Sequence, residues 1–170
     1  MWLIVLPFLW FSAPSAQLLG IGVVVASAGL LVRAWAAGML RKDEALITAG
    51  PYAFTRNPLF LGSFLIGVGS AVAGGHWVWP AIFLLFFVGT YSPTMARETK
   101  ALGTLFPTEY GRYRAEVPAF LPRVTPYRDS AAVSGDFSWH QYRRNREWEA
   151  CLGALAAFGL LAAKVVTGAS

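Results

Sequence analysis

The stretch LFLGSFLIGVGSAVAGGHWVWPAIFLLFFVGTY at residues 59–91 decides the fold. It holds two apolar runs, 59–73 and 77–91, which are separated by Gly74-Gly75-His76. Because adjacent glycines are typical of a tight turn, this pattern predicts two membrane helices joined as a hairpin. The polar segments before and after the hairpin must then emerge on the same face of the membrane.

The composition of the whole chain is that of an integral membrane protein. Of its 170 residues, 56% are hydrophobic and 14% are charged, whereas a soluble domain carries roughly 25% charged residues. This excludes a disordered chain, a coiled coil and a basic nucleic-acid-binding domain. Further apolar runs lie at 2–11, 16–40 and 150–166; the first is interpreted as a retained segment, since it lacks the basic region of a signal peptide. We expect an all-α, multi-pass bundle of about four to five membrane helices, in a single domain over 1–170.

The charged residues are concentrated in two polar segments, 41–57 and 96–149, which flank the hairpin. The chain has 14 Lys and Arg against 9 Asp and Glu, and every basic residue except Lys164 is expected on this one face. The positive-inside rule therefore predicts that the face is cytoplasmic. The single cysteine, Cys151, and the histidines His76 and His140 do not cluster, so no metal site is expected.

The first polar segment carries the motif GPYAFTRNPLFLG at 50–62. Pro58 suits the first turn of a helix, where its missing N–H costs nothing, and Asn57 suits the N-cap. A purely structural interpretation, in which the motif is a turn, a cap and a helix start, therefore stays open beside a functional one.

The second polar segment begins with RETKALGTLFPTEYGRYRAEVP at 97–118. Its apolar and aromatic residues have helical spacing over 99–114, and Val117-Pro118 ends the predicted helix. A carboxylate such as Glu98 at a membrane edge is costly unless it is paired or functional, so Glu98 either pairs with Arg97 or holds a ligand. The aromatic-lined helix that follows is suited to fold over the membrane face as a lid.

Together the two motifs resemble those of isoprenylcysteine carboxyl methyltransferases and the related phospholipid methyltransferases. The resemblance covers about 45–122, and the helix at 147–167 lies outside it. It implies an intramembrane methyltransferase that uses S-adenosylmethionine and a cytoplasmic C-terminal segment that closes over this cofactor. It also implies a lipophilic or prenylated acceptor, which reaches the methyl group from the lipid bilayer.

The resemblance also assigns site residues by position. Catalytic roles fall to Glu98, Arg56 and Asn57. The cofactor-binding set implied by the resemblance is Tyr52, Arg56, Asn57, Pro58, Gly62, Arg97, Glu98, Tyr110, Tyr113, Val117, Pro118, Phe120 and Leu121.

Four positions depart from the family pattern: Asn57, Phe60, Thr99 and Pro107 replace the usual His, Tyr, Glu and Gly. These changes bear on the methyl acceptor more than on the cofactor. The acceptor stays open between the carboxylate of a prenylated cysteine or similar lipophile, which is the closest resemblance, and the amine of a phospholipid headgroup. Two other classes also stay open, a nicotinamide-dependent membrane reductase of the sterol-reductase type and a non-enzymatic membrane scaffold.

Overall fold

The computed structural model describes residues 2–41, 44–128 and 136–168, so Lys42 of the first polar segment lies outside the described residues. The chain folds into seven α-helices over this part of the sequence, together with a 3-10 helix at Gly50–Ala53. The helices are α1 (Trp2–Phe11), α2 (Ala16–Met39), α3 (Pro58–Ala73), α4 (Val78–Leu105), α5 (Pro107–Glu116), α6 (Trp139–Arg144) and α7 (Trp148–Thr167). The predicted all-α, multi-pass membrane bundle is confirmed.

Within the described residues, three helices are long and apolar enough to cross a membrane, namely α2, α4 and α7. The shorter apolar helix α3 has 16 residues, and α1 has 10. At about 1.5 Å per residue, α2 with its 24 residues spans about 36 Å. This is longer than the roughly 30 Å hydrocarbon core of a bilayer.

Helices α2 and α3 form the most intimate contact of the bundle because glycines face each other across it. A Cβ atom added to Gly29 would lie 2.6 Å from the carbonyl oxygen of Gly62, and one added to Gly69 would lie 2.5 Å from that of Gly22. Small residues allow helix backbones to approach closely in membranes, where van der Waals packing drives association. The α2–α3 pair is therefore the framework on which the other helices rest.

The predicted hairpin is formed by α3 and α4. Gly75 has a φ of +83°, which favours glycine, and the carbonyl of Gly74 accepts a hydrogen bond from the N–H of Ala13 at 2.9 Å. The ammonium of Lys164 donates to the carbonyls of Leu9 and Ser12. The hairpin turn, the end of α1 and the end of α7 therefore lie together, at the end of the bundle opposite the two motifs.

Helix α4 is longer than predicted, and the predicted helix over 99–114 is wrong as a single element. The structure continues α4 to Leu105, and then begins a new helix, α5, at Pro107. Phe106 separates them with φ −132° and ψ 63°. The reason is that a proline disfavours the helical conformation of the residue before it and has no N–H to extend the helix.

Candidate active site

The segment after α5, residues 117–127, lies along the first motif, and we call it the strap. Three backbone hydrogen bonds join the two: Arg56 N–H to the Pro118 carbonyl at 3.0 Å, Arg123 N–H to Phe54 at 2.9 Å and Tyr127 N–H to Ala53 at 2.9 Å. Residues separated by more than 60 positions in sequence thus form one unit.

Two polar side chains of the motif strengthen this contact. The hydroxyl of Thr55 donates to the Phe120 carbonyl at 2.9 Å, and the amide nitrogen of Asn57 donates to the Ala119 carbonyl at 2.7 Å. Thr55 is 2% exposed and Asn57 is 8% exposed, so the donor of each bond is shielded from water. Asn57 does stand at the N-cap position of α3, but its side chain binds the strap instead of capping the helix.

Arg56 connects the motif to α4 and α5 through Tyr110. Its Nη1 donates to the Tyr110 hydroxyl at 3.0 Å, and that hydroxyl donates to Oγ1 of Thr99 at 3.3 Å. The Nε atom of Arg56 is buried, and no hydrogen-bond partner for it is found in the described part of the chain. A guanidinium with one buried donor still to be satisfied is suited to bind an anionic group in a fixed orientation.

Tyr113 fastens α5 to the GPY portion of the motif. Its hydroxyl donates to the Tyr52 carbonyl at 2.6 Å, and its ring packs in an apolar cluster with Ala53, Val117 and Tyr127. Burial raises the pKa of the phenol of Tyr113 well above its usual value, and the neighbouring phenol of Tyr52 adds to this effect. Burial likewise raises the pKa of Tyr52, with a further contribution from the charges of Glu98 and Glu147. Both phenols therefore stay neutral and serve as hydrogen-bonding and packing groups.

Phe120 of the strap enters a cluster of aromatic rings between α3 and α4. Its ring centroid lies 5.5 Å from that of Phe64 and 5.6 Å from that of Phe87. The cluster continues towards Tyr91, which stacks on Phe87 at 4.5 Å and meets Phe60 edge-on at 5.2 Å. The polar motif thus adjoins a cluster of packed aromatic rings between two apolar helices.

The structure brings together most of the residues that the sequence nominated. The motif–strap unit contains Tyr52, Arg56, Asn57, Pro58, Tyr110, Tyr113, Val117, Pro118 and Phe120. Three others lie apart from these contacts: Arg97 is exposed on α4 and donates to Thr94, Leu121 is 72% exposed, and Gly62 faces α2. The Glu98 side chain is exposed, yet its charge acts on Tyr52.

Sequence reasoning missed an ion pair between Arg33 of α2 and Glu147, which precedes α7. The available signal was an arginine inside the long apolar run 16–40, because a charge there requires a partner. Sequence reasoning also assigned no role of its own to Thr55, whose hydroxyl bonds to the strap. In residues 2–41, 44–128 and 136–168, no group of three or more His, Cys, Asp or Glu side chains is arranged to hold a metal ion.

The structure defines the class of the protein. It is an all-helical membrane protein in which the strap packs against a polar motif. The phospholipid methyltransferase family matches residues 10–109, which is more than half of the chain. The protein therefore belongs to this family, which confirms the resemblance of its motifs.

Three proteins illustrate its similarity at the sequence level. The cobalt-zinc-cadmium resistance protein CzcN of Cupriavidus metallidurans is 31% identical over 74% of this chain, and the nickel-cobalt-cadmium resistance protein NccN of Alcaligenes xylosoxydans xylosoxydans is 32% identical over 72%. The protein-S-isoprenylcysteine O-methyltransferase of Schizosaccharomyces pombe is 31% identical over 49%. The chain spans 56% of the length of each of the first two proteins and 35% of the third. No solved structure shows significant similarity to the chain.

Proposed function

We propose that this protein transfers the methyl group of S-adenosylmethionine to a lipophilic acceptor at the cytoplasmic side of a membrane. The observation that carries the proposal is the strap, which bonds to Arg56 and Asn57 and contributes Phe120 to the aromatic cluster between α3 and α4. Family membership and the similarity to an isoprenylcysteine methyltransferase support methyl transfer as the reaction.

The residues at the site fit the polar groups of this cofactor. The buried Nε of Arg56 is suited to hold its carboxylate by a charge-assisted hydrogen bond, and Tyr110 offers an aromatic ring beside the guanidinium, 6.0 Å from Cζ to ring centroid. Glu98, whose charge reaches Tyr52, is suited to hold the ammonium group or the ribose hydroxyls. When bound, the cofactor supplies a methyl group that its sulfonium already activates.

The protein's own residues then provide position and exclude water. The strap shields the site from solvent through the bonds of Thr55 and Asn57. The acceptor reaches the site from the bilayer along the aromatic cluster between α3 and α4. If the acceptor is a carboxylate, no proton has to leave; if it is an amine, Glu98 is the group that takes the proton.

The acceptor that we favour is a lipophilic carboxylate of the prenylated-cysteine type. The similarity to the Schizosaccharomyces pombe methyltransferase supports this choice. A phospholipid amine is the alternative. Purified protein in vesicles, given cofactor labelled in the methyl group and each acceptor in turn, distinguishes the two by the lipid that becomes labelled. If phosphatidylethanolamine alone became labelled, the acceptor would be the phospholipid amine and not the lipophilic carboxylate.

Cofactor binding is tested directly with S-adenosylhomocysteine by calorimetry in detergent. We expect binding by the wild type, a loss of at least tenfold in Arg56→Ala because the guanidinium with its buried Nε is removed, and no change in Arg114→Gln, which neutralises an exposed arginine on α5. Stabilisation by NADPH but not by S-adenosylhomocysteine would overturn the proposal in favour of a membrane reductase.

A further inference from the structure

An ion pair joins the membrane-spanning helix α2 to the residue that precedes α7, away from the strap. Arg33 is about 9 Å before the end of α2 at Met39, at about 1.5 Å per residue. Its Nε and Nη2 donate to the two carboxylate oxygens of Glu147, with 2.9 Å between Nη2 and Oε2. Glu147 is only 6% exposed. Such a pair is costly to bury, and replacing it by apolar residues is often neutral or stabilising, so stability alone is a weak reason for it.

The third nitrogen of Arg33 reaches the helix that carries the site. Its Nη1 donates to the carbonyl of Leu59 at 3.3 Å and to the hydroxyl of Ser63, both in the first two turns of α3. A Cβ atom added to Gly62 would collide with Cγ of Arg33, so the arginine lies flat against this turn. The same turn begins at Asn57, whose carbonyl accepts from Leu61 N–H at 3.0 Å.

The backbone before α7 is bent to present Glu147 to Arg33. The side chain of Asn145 donates to the carbonyls of Ala37 at 2.8 Å and Leu40 at 3.2 Å. These bonds attach the segment between α6 and α7 to the end of α2. Arg146 follows with a φ of +53°, in the left-handed region. A non-glycine residue there is strained and persists only where the surroundings enforce it.

We infer that Arg33 and Glu147 are positioning residues for the methyl-transfer site, through which α7 fixes the first turns of α3 and thus the orientation of Arg56 and Asn57. This inference rests on the proposed function. Glu147 lies beyond residue 109, where the match to the family ends. The C-terminal helix is therefore part of the catalytic architecture in this protein.

Two substitutions separate positioning from a merely structural role. Arg33→Lys keeps a positive charge opposite Glu147, but a single ammonium cannot bind both carboxylate oxygens and the α3 turn. Ser63→Ala removes the side-chain acceptor on α3 and leaves the Leu59 carbonyl in place. Its matched control is Ser70→Ala, because Ser70 lies on the same helix and makes the same type of bond, to Ile66 at 2.9 Å, as Ser63 makes to Leu59 at 3.0 Å.

Two quantities are measured at a temperature well below that of unfolding. They are the dissociation constant for S-adenosylhomocysteine and the rate of amide hydrogen exchange over 59–63. We expect Arg33→Lys to weaken binding about tenfold and Ser63→Ala about threefold, with faster exchange in both and neither effect in Ser70→Ala. Lower unfolding temperatures with wild-type affinity and exchange would show that the pair is only structural and overturn the inference. A wild type that does not bind this ligand would instead overturn the proposed function. Exchange would then still decide the inferred link between Arg33 and the α3 turn: acceleration in Arg33→Lys supports it, and unchanged exchange refutes it.

Discussion

Replacing the hydroxyl of Thr55 should loosen the strap without changing the shape of the site. Thr55→Val keeps the β-branched outline and removes the hydrogen bond to Phe120, together with the longer contact to Ala119 at 3.4 Å. It also removes the acceptor for Asn57 N–H at 3.4 Å. We expect the strap to open more often while the helices stay folded.

The size of the effect follows from the burial of Thr55, which is 2% exposed. One net hydrogen bond contributes about 0.5–1.5 kcal/mol, and a buried acceptor left without its donor costs about 1–3 kcal/mol. The strap carbonyls are only half-buried, so water replaces part of the lost bond. A loss of about 1.4 kcal/mol corresponds to a tenfold increase in the opening equilibrium of the strap.

Amide hydrogen exchange measures this opening at three reporters, the N–H groups of Arg56, Arg123 and Tyr127, which bridge motif and strap. Exchange at these amides should accelerate about tenfold in Thr55→Val. The control is Thr104→Val, because Thr104 is exposed and its hydroxyl bonds within α4, to the carbonyl of Lys100. Equal exchange rates in Thr55→Val and the wild type would refute the view that this side chain holds the strap closed.

Three further predictions concern the framework of the fold. Gly62→Ala should lower the free energy of unfolding in detergent by about 1–3 kcal/mol, because the new methyl group would lie 2.7 Å from the carbonyl oxygen of Gly29. The control Gly153→Ala should have little effect, because, among the described residues, no atom beyond its own stretch of helix lies within 4 Å of the added methyl group. Raising the pH above about 10 should lower the free energy of unfolding. The reason is that the raised pKa of Tyr113 keeps its phenol protonated in the folded state, whereas the phenol ionises in the unfolded chain. A free energy of unfolding that stays constant up to about pH 11.5 would contradict this. Lys164→Met should increase proteolysis after α1, because the carbonyls at the end of that helix lose their donor; cleavage at the wild-type rate would show that the lysine contact is dispensable.

The sequence predicted the elements whose signals are local. The apolar runs, the glycine turn at 74–75 and the proline at the start of α3 each determine structure within a few residues, and the structure follows them. The break between α4 and α5 was also encoded locally, by Pro107, but the helical spacing on either side of it concealed the break.

The pairing across the chain was beyond such reasoning. Arg33 and Glu147 are separated by 114 positions, and Asn57 and Ala119 by 62. Hydrophobic periodicity indicates which face of a helix is buried but not which distant polar group it meets. The resemblance to a known family predicted that the second motif lies near the first. No signal predicted the contact of Glu147, at the start of α7, with Arg33, because α7 lies outside the matched region.

The bond from Lys164 to the end of α1 also bears on the order in which the protein is assembled. The carbonyls of Leu9, Trp10 and Ser12 receive their donor from a residue about 150 positions later, on the last helix. During synthesis these groups are made before Lys164, and a carbonyl that is withdrawn from water without a donor is costly. The bonds between α7 and the end of α1 therefore form only after α2, α3 and α4 have been synthesised, so the end of α1 acquires this donor after those helices.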